Sequence, residues 1–233
     1  MSLSNDTYET VAELFAQIRD RGGKQVTNPE FAVEGFPRSA NTFLVTALNM
    51  SWPKMAVQSH SHDSKNLTTA DGSFPIVSVI RNPLDAIASC SVHLSVQEPE
   101  KAKNLIGLID LYGDLAYCAK SNPHVFVIPF EKVTSDIVGT LDILEIKYGL
   151  EKRMHVSPED IFGKTSDLSK MVNQNSESFT KRGHVPRDRD PLYEKVLEEL
   201  QDPAYAKSLN KITKIYENLV DDFYQIIKKE PNT

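Results

Sequence analysis

Residues 31–43 read FAVEGFPRSANTF. A short apolar run, Phe31, Ala32 and Val33, ends at Gly35. A turn of small and polar residues follows, and Thr42, Phe43, Leu44 and Val45 then open an apolar-periodic segment. That order predicts strand, tight loop, helix. Such a loop aims backbone N–H groups and the positive end of a helix dipole at one spot, which suits a phosphate.

Outward from this stretch the chain alternates strands and helices. Val11, Leu14, Phe15 and Ile18 put an amphipathic helix at residues 7–19, before the first strand. Ala56–Ser59 reads as a short second strand and Phe74–Ile80 as a stronger, β-branched one. The latter runs into Arg81-Asn82-Pro83 and a helical stretch to about Val96. Pro83 suits a first-turn position, where its missing N–H is not needed. Residues 100–120 read as helix and Val125–Pro129 as a buried strand. Ile137, Leu141, Leu144 and Tyr148 mark another helix, and Leu209 to Ile227 a strong amphipathic one. The polar stretch 172–190 reads as a long loop. There is no internal repeat. The pattern predicts an α/β fold, a central parallel sheet flanked by helices, in one domain over residues 1–233. Ligands of such sheets bind at the carboxyl ends of strands. Gly35, His60, Arg81 and Phe130 all follow predicted strands, so they can converge on one rim.

Composition narrows the class. The 233 residues are 40% hydrophobic and 25% charged, ordinary for a globular protein with a full core. A net charge of −6 argues against nucleic-acid binding by general basicity. A phosphorylated ligand then has to be held by local cations. No apolar run spans a membrane, and no signal-peptide pattern opens the chain. Cys90 and Cys118 form no CxxC and no metal spacing, so no metal is expected and a cytoplasmic setting is the simplest reading.

Set against the nucleoside-triphosphate loop GxxxxGK[ST], Gly35 matches the first Gly. Ala40 stands at the second Gly, Asn41 at the Lys and Thr42 at the Thr. The Lys that reaches the β/γ-phosphates is missing. The cation has moved into the turn, to Arg38. A phosphate cradle is kept without the triphosphate chemistry.

Four separated segments together resemble the cytosolic-type sulfotransferases that use 3′-phosphoadenosine-5′-phosphosulfate (PAPS). GFPRSANTF is similar to that family's 5′-phosphosulfate loop, in outline PxSGxT. IRNPLDAIAS, residues 80–89, resembles its 3′-phosphate segment, an Arg at a strand end and a Ser eight residues later, Arg81 and Ser89. QSHSH, residues 58–62, resembles the family's Lys-Thr-His or Lys-Ser-His strand end, whose His is the general base. His60 lies 21 residues before Arg81, as that pattern asks, and Ser59-His60 fits its last two positions. FTKRG, residues 179–183, is similar to the late Phe-x-Arg-Lys-Gly loop over the 3′-phosphate. Phe130-Glu131 and Thr165-Ser166 resemble a Tyr-Glu and a Thr-Ser pair near the adenine.

The resemblance covers roughly residues 31–183 and implies a P-loop-like sulfotransferase fold. The first helix and the last fifty residues carry no placed motif. Three departures stand out. Ala40 replaces the usual Gly and suits the site only if that position needs no positive φ. Asn41 replaces Thr but can still donate to a phosphate oxygen. Gln58 replaces the frequent Lys. The chain is also shorter than typical members, which implies trimmed acceptor loops and a more open acceptor site.

The resemblance assigns roles. Gly35, Pro37, Arg38, Ser39, Ala40, Asn41, Thr42 and Phe43 would line the 5′-phosphosulfate loop. Arg81, Ser89, Lys181, Arg182 and Gly183 would hold the 3′-phosphate, with Phe130 and Thr165 near the adenine. Arg38 would neutralise charge on the leaving 5′-phosphate. His60 would take the acceptor's proton, with His62 the alternative two residues on. A histidine with pKa near ~6.5 suits that task. Fork-like arginine contacts suit a phosphate. Sulfuryl transfer, by analogy with phosphoryl transfer, is an in-line displacement served by positioning and electrostatics. The resemblance implies PAPS as cofactor, with PAP as product and no metal.

Each feature also has a plain structural reading. A Gly-bounded turn can be a mere connection, Lys181-Arg182 a solvated pair, and Ser89 a packing residue. Order and spacing, taken jointly, set the pattern apart. Two other classes stay open: a P-loop nucleotide kinase or NTPase, which would need Lys at position 41, and an inactive PAP-binding module. The acceptor stays open among small-molecule, glycan, lipid and peptide hydroxyls, since acceptor pockets are built from variable loops. Oligomeric state is equally open.

Overall fold

The computed structural model describes residues 28–59, 61–97, 102–172 and 191–229. The expected helix at 7–19, His60, the FTKRG segment and nearly all of the expected loop at 172–190 lie outside these residues. Four parallel strands form the sheet: β1 (Phe31–Gly35), β2 (Val57–Ser59), β3 (Ile76–Ile80) and β4 (Val125–Pro129). Their spatial order is β2-β1-β3-β4. The expected α/β fold with a central parallel sheet is the fold observed.

The helices are α1 (Asn41–Ser51), α2 (Ser64–Thr68), α3 (Pro83–Gln97), α4 (Leu105–Ser121), α5 (Phe130–Ser135), α6 (Ile137–Tyr148), α7 (Pro158–Val172), α8 (Pro191–Leu200) and α9 (Pro203–Lys229). Side chains alternate across the sheet with period two. Ala32, Ile76, Ile80, Val125 and Val127 join one core with α3, α4, α8 and much of α9. Phe31, Val33, Val77, Val79, Phe126 and Ile128 join the other, with α1, α5 and α6. Burial on both faces explains why these strands read as continuous β-branched runs.

Boundaries follow local chemistry. β3 begins at Ile76, two residues later than expected, since Pro75 has no N–H for the ladder; its carbonyl still accepts from the Ala32 N–H at 2.9 Å. α3 starts at Pro83 as expected, with Asn82 Oδ1 accepting from the Leu84 N–H at 3.0 Å. α4 starts at Leu105 because Asn104 caps it through the Gly107 N–H at 3.0 Å. α9 opens at Pro203, six residues before the expected Leu209, and packs along β4.

Candidate functional site

The strand order turns around between β1 and β3. In open α/β sheets that switch point, outside the carboxyl ends of the two strands, is where a crevice opens. Gly35 pairs with Val79 across it, so the loop after β1 and Arg81 after β3 leave the sheet side by side.

The loop is strained. Gly35 has φ 147°, and a Cβ there would stand 2.5 Å from the Val79 carbonyl oxygen. Arg38 and Ala40, on either side of Ser39, both sit in the left-handed region, at φ 68° and 63°. Non-glycine residues pay about 1–2 kcal/mol for that conformation. The condition that Ala40 needs no positive φ is therefore not met. The turn requires one, and alanine carries the strain, as residues in functional loops often do.

Helix α1 starts directly from this turn. Ala40 provides no side-chain cap, and the first turn holds no acidic residue. By contrast α2, α4 and α6 are each capped, by Asp63, Asn104 and Asp136. The Ser39 hydroxyl is fully buried and has no hydrogen-bond partner among the described residues, and neither does Asn41 Oδ1. A buried hydroxyl left so is costly and suits an incoming acceptor oxygen, such as one from a phosphate. Asn41 itself turns inward: its Nδ2 donates to the Phe36 carbonyl at 3.2 Å and the Gly35 carbonyl at 3.4 Å. It staples the loop shut, where the sequence led us to expect donation to a phosphate. Pro37 is buried, and Thr42 and Phe43 are partly buried on the first turn of α1.

Three of the expected residues meet. Arg38 Nε donates to Ser89 Oγ at 3.4 Å, and an Arg81 terminal N–H donates to the Arg38 carbonyl at 3.0 Å. The Arg81 guanidinium lies 4.4 Å over the Phe130 ring, which brings in a fourth. Tyr112, which the sequence reading passed over, donates its hydroxyl to the Arg81 carbonyl at 2.6 Å and fixes the chain where β3 ends. Burial lowers the Arg38 pKa to about 10; the neighbouring Cys90 thiol raises it and the like charge of Arg81 lowers it. Two cations pressed together at the mouth of a helix N-terminus favour an anion between them.

Thr165 lies fully buried on α7, its hydroxyl donating to the Ile161 carbonyl at 2.8 Å, and α7 packs against α1. Gln58 is on β2. His62 is buried at φ 49°, and its Nδ1 lies 2.7 Å from the Gly35 carbonyl oxygen.

Glu34 was missed altogether. Its carboxylate is completely buried and accepts from Ser61 Oγ at 2.6 Å, Asn66 Nδ2 at 3.1 Å and the His62 N–H at 3.3 Å. The only signal in the sequence was a lone carboxylate inside an apolar run. Burial raises its pKa from 4.5 to about 7, against the lowering effect of those three hydrogen bonds. Its folded-state pKa is raised, so its contribution to stability is full below about pH 4.5 and is lost as pH rises through about 7. We expect stability to fall by about 3 kcal/mol over that window on this account. Urea midpoints of the wild type at pH 5 and pH 8, compared with Glu34→Gln, check it: the slope should shrink in the variant.

Among the described residues no group of three or more His, Cys, Asp or Glu could hold a metal ion. Among them, too, no helix is long and apolar enough to cross a membrane.

No protein-family model matches the chain, and no curated protein matches it in sequence. Among solved structures it is similar to the mouse sulfotransferase SULT7A1 complexed with PAP, at 15% identity and a TM-score of 0.48 over 93% of both chains. At that level the likeness carries no weight by itself, and the functional reading rests on the residues.

Proposed function

We propose that the chain is a PAPS-dependent sulfotransferase, acting as a single domain over residues 1–233. It would move a sulfuryl group from PAPS to a hydroxyl or amine acceptor. The observation that carries this reading is the contact between the two expected anion subsites: Arg38 donates to Ser89 and accepts from Arg81 at the β1/β3 switch point. A two-phosphate ligand needs two adjacent cationic grips, and this pair of segments supplies them.

PAPS, when bound, supplies the activated sulfuryl group. The residues then divide the work. The N–H groups at the start of α1, the Ser39 hydroxyl and Arg38 would take the 5′-phosphate. Arg81 and Ser89, with Lys181, Arg182 and Gly183 beyond the described residues, would take the 3′-phosphate. Phe130 and Thr165 would lie towards the adenine. Spacing puts His60 forward as the base, with His62 as the alternative. The unpaired cysteines Cys90 and Cys118 fit the proposed cytoplasmic setting.

Calorimetric titration with PAP, adenosine 5′-phosphate and ATP, each with and without Mg²⁺, tests the reading. PAP should bind tightest and independently of Mg²⁺. Arg81→Ala should weaken PAP about 10- to 100-fold, the worth of a charged hydrogen bond to the 3′-phosphate, and leave adenosine 5′-phosphate nearly unchanged. Unchanged PAP affinity would move the 3′-phosphate elsewhere. Preference for Mg²⁺-ATP would put a kinase or NTPase in front. PAP binding without transfer to any of a broad acceptor panel would favour an inactive binding module.

A further inference from the structure

Glu34 and Gly35 are consecutive, and together they grip the consecutive residues Ser61 and His62. The Glu34 carboxylate accepts from the Ser61 hydroxyl and the His62 N–H, and the Gly35 carbonyl oxygen lies 2.7 Å from His62 Nδ1. Asn66 closes the arrangement by donating to both Glu34 Oε1, at 3.1 Å, and Ser61 Oγ, at 2.6 Å. Among the described residues, the hydrogen-bond donors to this fully buried carboxylate thus come from residues 61–66, the turn after β2 and the start of α2. A buried carboxylate is kept only where donors compensate its lost hydration. The same bonds hold His62 at φ 49°, a conformation that a non-glycine residue seldom adopts unaided.

The position of the ring has a chemical consequence. A carbonyl oxygen only accepts, so His62 Nδ1 must carry the proton of that bond. In the neutral ring the lone pair is then on Nε2. We propose that Glu34 is a positioning residue that fixes the His62 imidazole beside the phosphate loop as its Nδ1–H tautomer, making Nε2 of His62 the proton acceptor of the transfer. This rests on the sulfotransferase reading and selects His62 over His60. As the acceptor oxygen bonds to sulfur, the bond from sulfur to the 5′-phosphate oxygen breaks. PAP leaves with that electron pair, and the acceptor's proton passes to Nε2 and then to solvent.

The test is ¹⁵N NMR of histidine-labelled full-length protein at pH 8, with His62→Gln to assign the signals. The wild type should show His62 as a single Nδ1–H tautomer. Glu34→Gln keeps a carbonyl for Ser61 and Asn66 but sets an amide N–H against the His62 N–H. Ser61→Ala removes one donor and keeps the carboxylate. Both should lose the single-tautomer signature, and kcat for transfer from PAPS should fall at least about tenfold, a fraction of what a general base contributes. KM for PAPS should stay within a factor of about three, because a base contributes to the transition state and not to donor binding. An Nε2–H tautomer in the wild type would overturn the proposal, as would an unaltered signature in both variants. Absence of PAP binding by the wild type would overturn the sulfotransferase reading instead, leaving the NMR result to decide the positioning alone.

Discussion

Gly35→Ala is expected to cost about 4 kcal/mol of stability, combining a conformation reserved for glycine with overpacking against backbone. The position has φ 147°, and the added Cβ would lie 2.5 Å from the Val79 carbonyl oxygen and 3.1 Å from Asn41 Oδ1. Neither side can yield cheaply. Val79 is paired into the sheet opposite Gly35, and Asn41 staples the loop through its other amide atom. A loss of that size is a large share of the stability of an ordinary domain, roughly 5–15 kcal/mol. Five residues on, the sign reverses. Ala40→Gly removes the penalty of a left-handed alanine at φ 63° and should gain about 1 kcal/mol. Urea unfolding of both variants beside the wild type checks the pair. A neutral Gly35→Ala would mean that β1 and β3 do not approach as described.

Arg38→Ala is expected to lower kcat for transfer from PAPS by about 10²–10³-fold, the effect of deleting one donor aimed at developing charge. Arg38 is the one cation within the loop GFPRSANTF, and it also donates to Ser89 Oγ. Its removal therefore takes charge from one subsite and a partner from the other. Arg38→Lys restores the charge without the planar fork and should recover part of the rate. Steady-state kinetics with an acceptor found by screening would decide. Near-normal turnover in Arg38→Ala would remove Arg38 from the mechanism.

Much of the architecture was legible because strands buried on both faces must be apolar and because helices announce their ends. Val125–Pro129 matched residue for residue, and the marker residues Ile137, Leu141, Leu144 and Tyr148 all lie on α6; the local signals are strong, a buried β-branched run in one case, an Asp136 cap with Gly149 at φ 59° beyond in the other. Boundaries slipped where a single atom intervened, as at Pro75 and Asn104. α7 and α8 were not foreseen; the polar first turn of α7 and the short apolar stripe of α8 are weak signals, and packing against α1 and α3 settles them.

The order of the strands, the parallel α/β class and a glycine-bounded loop feeding a helix were all readable from the chain alone, because periodicity, turn chemistry and propensity act over a few residues. It also supplied the spacing that put Arg38, Arg81 and Ser89 forward together. Which of these residues touch came from packing. It turned Asn41 inward, set Ala40 and Arg38 in left-handed conformations, and placed Glu34 under the turn of Ser61 and His62. Those outcomes depend on the register of β1 against β2 and β3. Register is fixed by burial of two whole faces, a property of the packed sheet that no short stretch of chain contains.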